Sequence, residues 1–168
     1  MICDPDPMSL DNFDLHRSYL EYSIAQAQIA RKSGEIPVGA VVVDFIQKKI
    51  LSSEYNQRTL PPYNPCGHAE ILALQAASKG GWRLNACVIY VTLEPCPMCL
   101  GAMVQSRIGG LVFGAYDKKG GAISLGYCLH RDFRLNHRFP VMGGVEEERC
   151  AGMLSAFFKL KRIKLKGI

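Results

Sequence analysis

The sequence predicts an α/β fold in three layers, with helices on both faces of a central mixed five-stranded sheet. Three observations carry that expectation. Short β-branched runs alternate along the chain with segments whose apolar residues recur every three or four positions, the pattern of strands interleaved with covering helices. The runs P-V-G-A-V-V-V-D, A-C-V-I-Y-V-T-L and G-L-V-F-G-A are nearly continuous in apolar residues, as strands buried on both faces are. No internal repeat, low-complexity tract or linker-like break divides the 168 residues, a length that suits one domain burying roughly two-thirds of its unfolded surface.

The elements follow in order. Leu15, Tyr19, Tyr22, Ala25 or Gln26, and Ile29 mark one face of a helix from about Asp14 to Lys32, which Ser33-Gly34 stops. P-V-G-A-V-V-V-D is a strand, and a turn near Gln47–Lys49 returns a second one, I-L-S-S-E-Y. Asn64-Pro65 reads as an N-cap with proline at the first helical position, opening a helix through Ile71, Leu72, Leu74 and Ala77 to Gly80-Gly81. The third strand, A-C-V-I-Y-V-T-L, ends at Glu94-Pro95, and Cys96-Pro97 begins a helix carrying Met98, Ala102, Met103 and Ile108. G-L-V-F-G-A is a fourth strand and F-P-V-M a fifth. The last helix starts in Glu146, Glu147 and Glu148 and ends in lysines, charges that suit its dipole. One domain is expected over 15–168, preceded by a flexible arm over 1–14.

Composition and charge exclude several classes. No apolar run approaches the ~18 residues of a membrane span. The acidic, proline-broken start M-I-C-D-P-D-P-M is the opposite of a secretory signal, so a cytoplasmic protein is expected. Seven cysteines, an odd number at uneven intervals, do not read as a disulfide framework, which frees a subset for metal binding. The net charge of +5 is localised: Lys159, Lys161, Arg162, Lys164 and Lys166 account for all of it. A second basic stretch, L-H-R-D-F-R-L-N-H-R, runs from Leu129 to Arg138. Such patches fit a phosphate backbone, and equally a solvated helix end.

The chemistry concentrates in two short stretches, H-A-E at 68–70 and P-C-P-M-C at 95–99. A C-x-x-C whose first cysteine opens a helix can present two thiolates to one tetrahedral metal, because the helix N-terminus favours the thiolate. Alone it could as well be a redox pair or part of the core. His68 adds a third ligand: both stretches begin helices that follow strands, so they reach the same edge of a parallel-wound sheet. Three protein ligands leave a fourth zinc position for water, the pattern of a catalytic site. Glu70 lies ~200° from His68 on an ideal helix, so a shared site must sit against the helix start. Cys66 is expected to be a packing residue in the first helical turn, because a fourth protein ligand would displace the water.

H-A-E with P-C-P-M-C resembles the signature of the zinc-dependent nucleoside and nucleobase deaminases. The stretches E-I-P-V-G-A-V-V-V, Y-N-Q-R, V-T-L-E-P-C-P-M-C, S-R-I-G-G-L-V-F-G-A-Y-D-K-K-G-G-A, L-N-H-R and A-F-F-K-L-K-R narrow the resemblance to the bacterial tRNA-specific adenosine deaminases, from about Leu15 to Arg162. The resemblance implies a cytidine deaminase-like fold and a homodimer. It further implies one Zn2+ per chain, held by His68, Cys96 and Cys99, with Glu70 as catalytic carboxylate. The substrate it implies is the wobble adenosine of a tRNA anticodon stem-loop, converted to inosine. It carries substrate contacts to Asn56 and Asp117, and RNA contacts to Asn136, His137, Arg138, Phe157, Lys159 and Arg162. Asn56 and Asp117 are also ordinary turn residues, and one of the adjacent Phe157 and Phe158 is expected in the core. Where the family more often has alanine before the histidine, this chain has Gly67, as relatives acting on free bases or nucleosides also do. Two rivals stand beside this reading: a deaminase of a free base or nucleoside, and a non-catalytic, zinc-stabilised RNA-binding module with a closed four-ligand site.

Overall fold

The computed structural model describes residues 12–165. In chain order its elements are α1 (Phe13–Lys32), β1 (Gly39–Asp44), β2 (Lys49–Tyr55), α2 (Ala69–Ala77), β3 (Cys87–Leu93), α3 (Pro97–Gln105), β4 (Gly110–Ala115), β5 (Val141–Gly143) and α4 (Glu147–Leu165). The sheet order is β2-β1-β3-β4-β5; β1 is antiparallel to both β2 and β3, whereas β3, β4 and β5 are parallel. The three-layer sandwich with a mixed five-stranded sheet is therefore the fold.

Alternation along the strands divides the core in two. Ala40, Val42, Ile89, Val91, Leu111 and Phe113 face one side, where Ala69, Ala73 and Leu74 of α2 and Leu100, Met103 and Val104 of α3 pack on them. Val41, Val43, Val88, Tyr90 and Val112 face the other, covered by Tyr19, Leu20 and Ile24 of α1 and Cys150 of α4. Gly39 is required at the start of β1: a Cβ there would overlap the Ser23 carbonyl on α1. Among the described residues no helix is long and apolar enough to cross a membrane, and the described cysteines are free.

Two boundaries depart from expectation. The arm expected over 1–14 lies outside the described residues up to position 11, and Phe13 and Asp14 belong to α1. The helix expected from Asn64-Pro65 begins only at Ala69. Asn64 caps a local turn instead: its side-chain oxygen accepts from Cys66 N–H at 3.2 Å and its carbonyl accepts from Gly67 N–H at 2.9 Å. Gly67 in turn accepts from Gln57 N–H at 2.8 Å, which ties that turn to the segment after β2. Cys66 is consequently exposed in a turn, not packed in a helix.

Candidate metal centre and active site

The strand directions bring the two chemical stretches together. Because β1 is antiparallel to both of its neighbours, β2 and β3 run the same way and end at one edge of the sheet. α2 and α3 start there. His68 is the N-cap of α2 and Cys96 the N-cap of α3, both with extended backbone. Proline at position 97 then enters α3 without losing a helical hydrogen bond. Since His68 precedes the helix, the ~200° offset expected from helical geometry does not separate it from Glu70.

His68 Nδ1 lies 3.8 Å from Cys96 Sγ and 3.5 Å from Cys99 Sγ, and the two sulfurs are 3.6 Å apart. A tetrahedral zinc with Zn–S of ~2.3 Å and Zn–N of ~2.0 Å needs S···S near ~3.8 Å and S···N near ~3.5 Å. The triangle fits zinc without rearrangement. Among the described residues these three are the group of metal-binding side chains that converges.

The charges of the donor set point the same way. The Cys99 thiol beside it, outweighing burial and aided by His68, pulls Cys96 down to about 4, in the range of a thiolate at neutral pH. Cys99 is pushed up by the Cys96 sulfur, by burial and by Glu70. The two sulfurs oppose each other's ionisation, and a bound dication is what allows both to be thiolates. Glu70 is 4% exposed; burial above all, and Cys96 after it, raise its carboxyl above the ordinary range against the opposing pull of its own backbone N–H and His68. A carboxyl so placed exchanges protons readily.

A cavity of about 290 Å³ opens onto this group, lined by His68, Glu70 and Cys96 and by Ile36, Val38, Asn56, Arg58, Leu93, Glu94, Asp117, Gly120, Leu154 and Phe158. Its size, at the low end of the ~300–1,000 Å³ of small-molecule sites, suits one base rather than an extended ligand. Asn56 is buried and its Oδ1 accepts from Ala69 N–H at 2.9 Å, anchoring the start of α2 beside His68. Asp117 reaches the cavity, but its Oδ1 accepts from Lys119 and Gly120 N–H at 3.0 and 3.1 Å, so its carboxylate also shapes the turn.

The remaining candidates lie elsewhere. Phe157, 9% exposed, is the core member of the aromatic pair, and Phe158, 40% exposed, is the one that lines the cavity. Lys159 and Arg162 are exposed on α4, Arg162 one turn beyond Phe158 on the same face; Lys166 lies outside the described residues. Asn136 and Arg138 are exposed, while His137 donates from Nε2 to the Ile108 carbonyl at 2.7 Å and so braces the segment. None of these three lines the cavity.

Sequence reasoning did not single out Arg58, Glu35 or Glu94. Glu94 accepts from Asp117 N–H at 2.9 Å and from Ser124 N–H and Oγ–H at 2.7 and 2.6 Å, fixing the loop after β4. Its only signal was its place in V-T-L-E-P-C, which does not say where the carboxylate turns.

Residues 14–115 match the family model for the cytidine and deoxycytidylate deaminase zinc-binding region. The tRNA-specific adenosine deaminase of Bacillus subtilis (strain 168) is 45% identical over 150 residues, which span 88% of this chain and 91% of that protein. A solved structure from work on A-to-I editing by tRNA:A34 deaminases at the wobble position of transfer RNA is 34% identical, with a TM-score of 0.75 over 82% of this chain and 99% of that one. The guanine deaminase of Bacillus subtilis is 32% identical over less of both, 67% and 70%, with a TM-score of 0.54.

Proposed function

The chain belongs to the cytidine and deoxycytidylate deaminase zinc-binding family, among the tRNA-specific adenosine deaminases, and from that premise we propose that it hydrolyses the wobble adenosine of a tRNA anticodon loop to inosine and ammonia. The observation that carries the reading is the His68, Cys96 and Cys99 triangle with buried Glu70 against it, in a cavity sized for one base. The relatives' substrate, and their greater likeness over more of the chain, favour tRNA over a free purine. The reading includes a cytoplasmic homodimer and a single deaminase domain that begins with α1.

His68, Cys96 and Cys99 would hold one Zn2+ per chain, which would supply the Lewis acidity that makes a water nucleophilic near neutral pH. Glu70 removes the water proton as the oxygen attacks C6 of adenine, and delivers it to N1. The C6 centre becomes tetrahedral. Glu70, again a carboxylate, then takes the proton of the new C6 hydroxyl and passes it to the amino group; the C6=O bond forms as the C–N bond breaks, ammonia leaves and inosine, with its N1–H, remains. Asn56 and Asp117 border the nucleotide. A base inside a stacked helix could not enter so small a cavity, so the substrate is a loop whose nucleotide splays out. Asn136, His137 and Arg138, with Phe157, Lys159 and Arg162, supply the surface along which that loop lies; Phe157 acts there by packing behind Phe158.

Anticodon stem-loops, adenosine, cytidine and guanine are assayed in parallel, reading inosine, uridine and xanthine by mass spectrometry. Inosine at the first anticodon position, with no turnover of the free compounds, is the expected result; deamination of free guanine or a nucleoside instead would replace the substrate assignment. Glu70→Ala should keep about one zinc per chain and lose at least ~10³-fold in turnover. Retained activity at full zinc content removes Glu70 from the chemistry.

A further inference from the structure

We propose that Arg58 is a substrate-binding residue that grips a phosphodiester of the bound strand next to the reacting nucleotide. It thereby helps the site select a polynucleotide over a free base or nucleoside. The inference rests on the deaminase reading of the adjoining site. Arg58 lies two residues beyond Asn56 and shares the cavity with His68 and Glu70. Its backbone N–H donates to Glu35 Oε2 at 2.8 Å, which fixes the root of the side chain. Farther out, Nε is enclosed by protein and has no hydrogen-bond partner. Among the described residues the guanidinium forms no ion pair either.

The nearby carboxylates are already engaged. Glu35 takes the N–H groups of Ile36, Arg58 and Thr59; Glu94 takes Asp117 and Ser124; Asp117 takes Lys119 and Gly120. A guanidinium that lines a cavity with neither a hydrogen-bond nor an ion-pair partner among the described residues is open to an anion which that cavity admits. Beyond the enclosed Nε, the two Nη groups form a planar fork that matches two oxygens of one phosphate. Adenine offers no such pair of anionic oxygens, and a nucleoside has no phosphate at all. An RNA loop places a phosphodiester on each side of the nucleotide that enters the cavity.

Stem-loop binding is measured by fluorescence anisotropy over a salt series for the zinc-loaded full chain and for Arg58→Gln and Arg58→Lys, alongside inosine formation. Arg58→Gln should weaken binding about 10-fold or more. It should also lower the slope of log affinity against log salt by ~0.7, one phosphate's worth for a single strand. Zinc content should be unchanged, and KM for the stem-loop should rise by more than kcat falls, because the lost contact is one of binding. Arg58→Lys keeps the charge but not the fork, so it should retain the salt slope and recover only part of the affinity. In the wild type, neutral methylphosphonates introduced one at a time around the adenosine should reproduce the loss at one position. Unchanged binding, weakening at constant salt slope, or the absence of any sensitive phosphate overturns the proposal. A wild type that binds the stem-loop without forming inosine overturns the functional reading and leaves the Arg58 comparison intact; one that does not bind overturns both.

Discussion

Glu35 is buried within the α1–β1 connection, and its carboxylate takes four hydrogen bonds: Ile36 N–H at 2.9 Å, Arg58 N–H at 2.8 Å, Thr59 N–H at 2.7 Å and Thr59 Oγ–H at 3.0 Å. Burial alone would raise its pKa; the hydrogen bonds from Thr59, Ile36 and Arg58 outweigh it and hold the carboxyl below its ordinary 4.5. A depressed folded-state pKa contributes stability above the unfolded value, lost as pH falls from there through the folded value. Glu35→Gln should therefore cost about 2–4 kcal/mol at pH 7, since charged acceptors are replaced and an amide is forced against donors. It should also flatten the acid limb below about pH 4.5 in urea melts across pH; an equally steep limb in both proteins would count against this role. At this scale the zinc ligands and Glu70 were legible because each needs a rare residue type at a fixed spacing. Glu35 and Arg58 were not, since one acid and one base near a turn look the same whether they face inward or outward. Phe157 and Phe158 were ambiguous for a related reason: adjacent aromatics on a helix lie ~100° apart, and only packing decides which one turns to the core.

At the scale of elements, strands were read to within two residues because their apolar runs are bounded by turn residues: β4 begins at Gly110 and ends at Ala115, as G-L-V-F-G-A implied. α2 was misplaced by four residues because Asn-Pro caps a turn as readily as a helix, and the choice is made by a distant partner. That partner is Asn56, which takes the Ala69 N–H that no local residue satisfies. The loop after β4 is set by a similar long-range contact. A Cβ at Gly121 would overlap the Glu94 carboxyl, so Gly121 is there to let backbone approach the group that orders residues 117–124. Gly121→Ala should displace Glu94, costing about 2 kcal/mol or more. Its KM for the stem-loop should rise more than its kcat falls, because Asp117 borders the cavity rather than the reacting atoms. Thermal melts and steady-state kinetics on the one variant check both; a stable protein with unchanged KM would show that the loop tolerates the side chain.

For the whole molecule, the sheet order does what neither stretch does alone. Reversing β1 between β2 and β3 brings both following helices to one edge, where their N-termini converge on the metal ligands. That convergence was legible from element order, because strand–helix–strand units start their helices on one side of a sheet. The cavity's outer wall was not, because Leu154 and Phe158 arrive from the last helix, some 60 residues on in the chain. The stability of this architecture is separable from the metal. Two apolar clusters, one on each face of the sheet, involve all of the first four strands and none of the charged site residues, so the fold should not depend on zinc as a small metal-organised module does. Chelation should abolish deamination yet leave the circular dichroism spectrum folded, lowering the thermal midpoint by an amount that grows with the logarithm of the zinc then added back. Restored zinc should restore activity and midpoint together. A chelated chain that lost its secondary structure would instead mark the site as structural and return the zinc-stabilised binding module to contention.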